Sequence, residues 1–139
     1  MRVDRVVDAS VLGAAFFNET ASRSARVWLG EDLRLIAPDL LCIELASIAA
    51  KKVWRGEASV EVGEKAVASV RDFVSELAPM DDLAGRAFAL AAAHRFSAYD
   101  AAYLALADTR GVQMVTLDHR LADRAEAVGL GALVERLTG

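Results

Sequence analysis

The sequence predicts an α/β protein built as three layers, a central and mainly parallel β-sheet flanked by helices on both faces. Three observations carry that expectation. Short apolar runs rich in β-branched residues, Val3–Val7, Leu33–Ala37 and Gln113–Leu117, are separated by long helix-like segments. About one residue in five is alanine, and only Pro38 and Pro79 interrupt the chain, so helix should fill the space between strands. Connections of that length join parallel strands by right-handed crossovers. No repeat, low-complexity tract or linker divides the 139 residues, so 1–139 is expected to be a single domain with its own core.

The first strand ends at Asp8, and Ser10–Phe17 reads as the first helix. Ser22–Leu29 is a second, stopped by Gly30, and Pro38 closes the strand Leu33–Ala37. Asp39 is placed to N-cap a long helix from Leu40 to about Trp54, with Lys51, Lys52 and Arg55 at its negative end and Gly56 as terminator. A helix from about Ala58 to Leu77 follows. After Pro79 comes another from Leu83 to about His94, whose apolar stretch Ala87–Ala93 is too short for a bilayer and is expected in the core. Ser97 opens a helix that ends near Gly111, and Asp118 stops the strand Gln113–Leu117. A last helix covers about Arg120 to Val128, and Ala132–Val134 is a candidate edge strand.

With 16 Lys and Arg against 20 Asp and Glu, the formal charge is −4. That balance argues against holding nucleic acid by bulk positive charge, since such binding draws on counterion release by basic side chains. A polyanionic partner therefore needs a local arrangement. Two His and one cysteine, Cys42, exclude a disulfide framework and a Cys/His zinc cluster. They point to a reducing compartment, and a cytoplasmic location is expected. No apolar run approaches the roughly 20 residues of a membrane span, and Met1–Arg5 leads into a strand instead of a signal-peptide core. No membrane partner is expected.

Most acids suit solvated helix faces, but four sit against apolar sequence, where an uncompensated carboxylate is costly. Asp8 ends the first strand; it suits an N-cap, and equally a ligand-facing position at the carboxyl edge of a sheet, with Ser10 to orient it. Glu44 lies in mid-helix among Leu40, Leu41 and Ile48, where its alternatives are a buried ion pair, for instance with Lys51, a helix rotated so that it lies at the edge of the apolar face, or a site. Asp100 stands at capping-box spacing from Ser97, yet on the face continued by Tyr103, Leu104 and Ala107. Asp118 follows the strand that holds Thr116 and is either an N-cap or a site residue. One crevice at the sheet's carboxyl edge would collect all four. Carboxylates so close need a cation, and oxygen-only ligands favour Mg²⁺ or Mn²⁺.

These stretches resemble the PIN domain, and within it the toxin nucleases of the VapC type. The resemblance rests on Val7–Leu12, Ala37–Leu45, Ser97–Leu106 and Val115–Leu121, four motifs in the family's order and spacing that together cover essentially the whole chain. It implies a PIN-like fold in which Asp8, Glu44, Asp100 and Asp118 are the acidic metal-binding and catalytic residues, supported by the hydroxyls of Ser10 and Thr116. Some members use a further acid near the last motif; Asp123 stands there, and equally suits a solvated position. The implied activity is Mg²⁺- or Mn²⁺-dependent hydrolysis of RNA phosphodiester bonds, as the toxin of a toxin–antitoxin pair. The implied partners are RNA, a small antitoxin chain and a second copy of the protein.

Basic residues near the acids are candidates for holding phosphate: Arg55, Arg120 and Arg124, with His119 beside them. For Lys51 and Lys52 the favourable field of a helix C-terminus is the better account. Two other readings are open. In one, a PIN fold serves as a non-catalytic scaffold for RNA or protein. A haloacid-dehalogenase-like phosphatase also starts with an acid after a strand, but wants a second Asp where this chain has Ser10.

Overall fold

A computed structural model describes residues 2–138. Among these, β1 (Val3–Val7), β2 (Leu33–Pro38), β3 (Val74–Ala78), β4 (Met114–Thr116) and β5 (Val134–Arg136) form one sheet in the order β3-β2-β1-β4-β5. Every pairing is parallel. The apolar runs explain why the sheet lies between two layers: neighbouring residues on a strand face opposite sides, and both sides are covered.

Val6, Ile36 and Met114 face α6 (Met80–His94), α7 (Ala98–Arg110) and α8 (His119–Ala127). Val7, Leu35 and Val115 face α1 (Ala9–Phe16), α2 (Ser22–Leu29), α3 (Leu40–Trp54) and the single turn α5 (Val70–Phe73). The remaining helix, α4 (Val60–Ala68), packs on α3 through Ala49 and Ala66. No helix among the described residues is long and apolar enough to cross a membrane.

Several expectations need correction. The helix expected over Ala58–Leu77 breaks into α4, α5 and the strand β3, which lies beside β2. Glu76 on that strand meets Arg110 and Arg34, so a charged residue is accommodated there. The stretch Ala87–Ala93 is only half core: Ala87 and Leu90 are buried, whereas Phe88 is 72% exposed. Asp39 does not cap α3 with its side chain. It already has helical backbone angles, and its N–H donates to the Ala78 carbonyl instead. The edge strand comes two residues later than expected, after a 3₁₀ turn over Gly131–Leu133.

Candidate active site

The winding of the sheet reverses between β1 and β4: β2 and β3 build outward on one side of β1, and the chain then crosses to β4 on the other. In open parallel sheets the crevice beyond the carboxyl ends of such a strand pair is where ligands bind. Asp8 follows β1 directly and Asp118 stands two residues after β4.

Asp8 caps α1 and also stands at the carboxyl edge of the sheet. Its Oδ1 caps α1 by accepting from the N–H groups of Ser10 (3.1 Å) and Val11 (3.3 Å), and it takes the Ser10 hydroxyl at 2.5 Å. Its Oδ2 accepts from the hydroxyl of Thr116, which is itself buried. These two hydroxyls also tie the strand ends together: Ser10 Oγ accepts from the Leu117 N–H at 3.1 Å, and Thr116 Oγ1 from the Asp118 N–H at 2.9 Å. Asp118 in turn caps α8, its Oδ1 accepting from the Leu121 N–H at 3.1 Å.

Glu44 arrives from one helical layer and Asp100 from the other. The Glu44 carboxylate accepts from the Tyr103 hydroxyl at 2.6 Å, and no cation pairs with it among the described residues, so the buried ion pair does not form. Asp100 lies in the first turn of α7, where its N–H donates to Ser97 Oγ at 3.1 Å. Asp8, Glu44, Asp100 and Asp118 all line one cleft of about 290 Å³, together with Ser47, Lys51 and Tyr103.

The acids crowd one another. Asp8, 7% exposed, is pushed up to about 6, chiefly by burial; its hydrogen bonds oppose that rise and the Glu44 charge adds to it. Burial also raises Glu44, against the Tyr103 bond and with help from the Asp100 charge. Asp100 rises through burial and the Asp118 charge, opposed by the Ser97 hydroxyl and Arg124. The Tyr103 hydroxyl is raised by burial and by Glu44, so it stays protonated and acts as a donor.

The cleft sorts the basic candidates differently from the sequence expectation. Lys51 lines it, whereas Lys52 is held by Glu19 (3.0 Å) and Glu57 (3.4 Å). Arg124 bonds to the Arg95 carbonyl and stacks on Phe96 at 5.0 Å, so it clamps the α6–α7 turn. Arg55 and Arg120 are exposed and do not line the cleft. Asp123 pairs with Arg136 at 2.5 Å on the β5 side, away from the other acids. Sequence reasoning did not place Tyr103 or Ser47 at the cleft, and for Lys51 it favoured the helix-end account. For Ser47 and Lys51 the signal was present: Glu44, Ser47, Ile48 and Lys51 recur at the spacing of one helical face.

Comparison with known proteins agrees with this architecture. Residues 5–127 match the PIN domain family. The chain is 32% identical over 125 residues to Ribonuclease VapC3 of Pyrobaculum aerophilum, covering 88% of this chain and 95% of that one. It is 34% identical over 122 residues to Ribonuclease VapC9 of Mycobacterium tuberculosis, covering 88% and 91%. Two crystal structures share the fold. PAE2754 from Pyrobaculum aerophilum has a TM-score of 0.66 at 23% identity over 95% of this chain and 83% of that one. VapC20 of Mycobacterium tuberculosis, a sarcin-ricin loop cleaving toxin, has a TM-score of 0.64 at 19% identity over 89% and 94%. With its sheet order and its match along nearly the whole chain, this protein belongs to the PIN domain family, in the VapC group of that family.

Proposed function

We propose that this protein is a divalent-metal-dependent endoribonuclease and the toxin of a toxin–antitoxin pair. The observation that carries the reading is the gathering of four carboxylates, drawn from both helical layers and from the strand ends between them, along one cleft. The ribonuclease names of its relatives at 32% and 34% identity support RNA as the substrate.

The donor chemistry fits Mg²⁺ or Mn²⁺. All the ligands on offer are oxygen: in Glu44 and Asp118 a protein donor fixes one carboxylate oxygen and leaves the other, and Asp8 Oδ2, which accepts only from Thr116, keeps a further lone pair. Among the described residues no three Asp, Glu, His or Cys side chains form a ready-made metal shell. Mg²⁺ does not require one, because it usually keeps several waters and takes one or two carboxylates. Asp8, Glu44, Asp100 and Asp118 would hold the ion. When bound, it supplies Lewis acidity toward water and phosphate oxygens.

The chain's own groups do the rest. Ser10 and Thr116 keep Asp8 aimed and favour its ionised form, and Tyr103 does the same for Glu44. Lys51 brings a positive charge to the lip of the cleft, where a phosphate would enter. Outside the four acids the basic and acidic totals are equal, so the negative charge that would repel RNA resides in this site.

The partners follow from the same reading. An antitoxin chain has an apolar landing surface in the groove of about 530 Å³ between α3 and α4, where Trp54 is 78% and Val60 59% exposed. Phe88 on α6 and Tyr99 on α7, 72% and 62% exposed, support a second copy. The lone cysteine, Cys42, unpaired here, suits a cytoplasmic location.

The test is incubation of the purified protein with single-stranded and structured RNA in Mg²⁺, in Mn²⁺ and in EDTA. Cleavage should require the metal and fall by about a hundredfold or more in Asp8→Asn and Asp100→Asn, the scale on which one transition-state group acts. Cleavage that persists in EDTA, or that both variants retain, rejects the reading. Induced expression that leaves growth unaffected, with no small antitoxin-like chain encoded alongside, rejects the toxin role alone.

A further inference from the structure

Asp118 is a wall between two clefts. On its far side lies a second and larger cleft, of about 600 Å³, that shares Ser10, Ile48 and Asp118 with the acidic one. Gly13, Ala21, Ile48 and Leu117 give it apolar surface, and Glu19 and Thr20 from the α1–α2 loop line it together with His119. It combines apolar and polar surface, and its volume lies within the roughly 300–1,000 Å³ that small-ligand pockets occupy.

The loop wall is built, not merely present. Ser22, 6% exposed, accepts from the Glu19 N–H at 2.8 Å and donates to the Phe17 carbonyl at 2.7 Å, so one buried hydroxyl closes the loop. Lys52 then holds the Glu19 carboxylate at 3.0 Å from the neighbouring helix. The same pair fixes the electrostatics. Glu19 is neutralised by Lys52, and no Lys or Arg lines the cleft. A phosphate finds no cation there and meets the Asp118 carboxylate, whereas an uncharged ring system finds apolar surface, a hydroxyl and an imidazole.

We propose that this second cleft is a nucleoside subsite, holding the ribose and base adjacent to the phosphate that lies among the acids, with Thr20 and His119 reading its polar edge. The inference rests on the ribonuclease reading and adds to it a place where cleavage specificity is set. Single-stranded RNA is commonly recognised this way, by splaying a base into a pocket and hydrogen-bonding its edge.

The test uses a set of short single-stranded RNAs that vary at the positions flanking the cut, with the wild type, Thr20→Trp, Thr20→Ser and His119→Ala. Thr20 and His119 are exposed, so the variants should fold, and thermal melting checks that they do. Wild type should prefer one base at a flanking position. Thr20→Trp, which fills the cleft, should raise KM by about tenfold or more with a smaller change in kcat, and it should flatten the preference. His119→Ala should flatten it as well, and Thr20→Ser should restore the wild-type pattern. Unchanged KM and unchanged preference in both Thr20→Trp and His119→Ala overturn the subsite and leave the nuclease standing. Wild-type protein that cuts no RNA overturns the nuclease reading and the subsite with it.

Discussion

The Tyr103 hydroxyl donates to Glu44 Oε1 at 2.6 Å across 59 residues of sequence, joining α7 on one face of the sheet to α3 on the other. This bond holds the Glu44 carboxyl down against burial and the charge of Asp100. In Tyr103→Phe the Glu44 carboxyl should therefore keep its proton to higher pH. If ionised Glu44 takes part in cleavage, the acid limb of the pH–rate profile moves upward. Stability should fall by about 1 kcal/mol, the scale of one hydrogen bond to a half-buried charge. Chemical denaturation and a pH–rate series measure both.

Burial makes Asp8 a source of pH-dependent stability. The folded protein binds the Asp8 proton more tightly than the unfolded chain does, with a value of about 6 against an ordinary 3.8. Its contribution to the fold is therefore fully present below 3.8 and is lost as pH rises through about 6. The change is on the order of 3 kcal/mol. Asp8→Asn has no such proton to lose, so in EDTA its stability relative to wild type should rise between pH 4 and pH 7. A constant difference across that range would contradict the assignment.

Glu44→Gln separates repulsion from pairing. Glutamine retains an oxygen for Tyr103 and removes a charge that Asp8 and Asp100 both oppose. Without divalent metal, the melting temperature should stay level or rise. A fall of several degrees, which corresponds to about 1 kcal/mol or more in a chain of this length, would mean that Glu44 has a stabilising cation after all.

Thr116 is 1% exposed and works in both directions, donating to Asp8 and accepting from the Asp118 N–H. Thr116→Val keeps the shape and removes both bonds, leaving polar groups on each side without a partner. It should cost about 2 kcal/mol and raise Asp8 further. Thr116→Ser should restore most of the stability, because it returns the hydroxyl. Denaturation of the three proteins in parallel is the check.

The central strands were legible because a strand covered on both faces must be apolar throughout, and Val6–Val7, Leu35–Ile36 and Met114–Val115 are. β3 was not. It mixes Ser75 and Glu76 with apolar residues, and α5 runs into it at Phe73 without a Gly or Pro to mark the change. Alanine misled the reading of α6 for a related reason: it suits a helix on either face, so periodicity around Phe88 did not reveal which side is wet. At the site, Asp8 and Asp118 were visible as acids that end apolar strands, and Glu44 as an acid in an apolar helix. Tyr103 was not, since its role depends on two layers meeting over the sheet edge. Arg124 was visible from its place after Asp118, but its contacts with Arg95 and Phe96 were not, since those residues come from another turn; its charge also reaches Asp100.

The hydroxyl of Thr116 reaches Asp8 across 108 residues, and the acids approach the cleft from positions 8, 44, 100 and 118. Parallel strands joined by long crossovers pair late, because the intervening loop entropy is lost before any contact compensates it. On a translating ribosome, the first half of the chain emerges carrying Asp8 and Glu44, but without the strand that completes the crevice. The four acids therefore do not come together on a growing chain until β4 has been synthesised and seated beside β1. Sheet topology acts here as a timing device: the cleft is complete only once nearly the whole chain is available to fold.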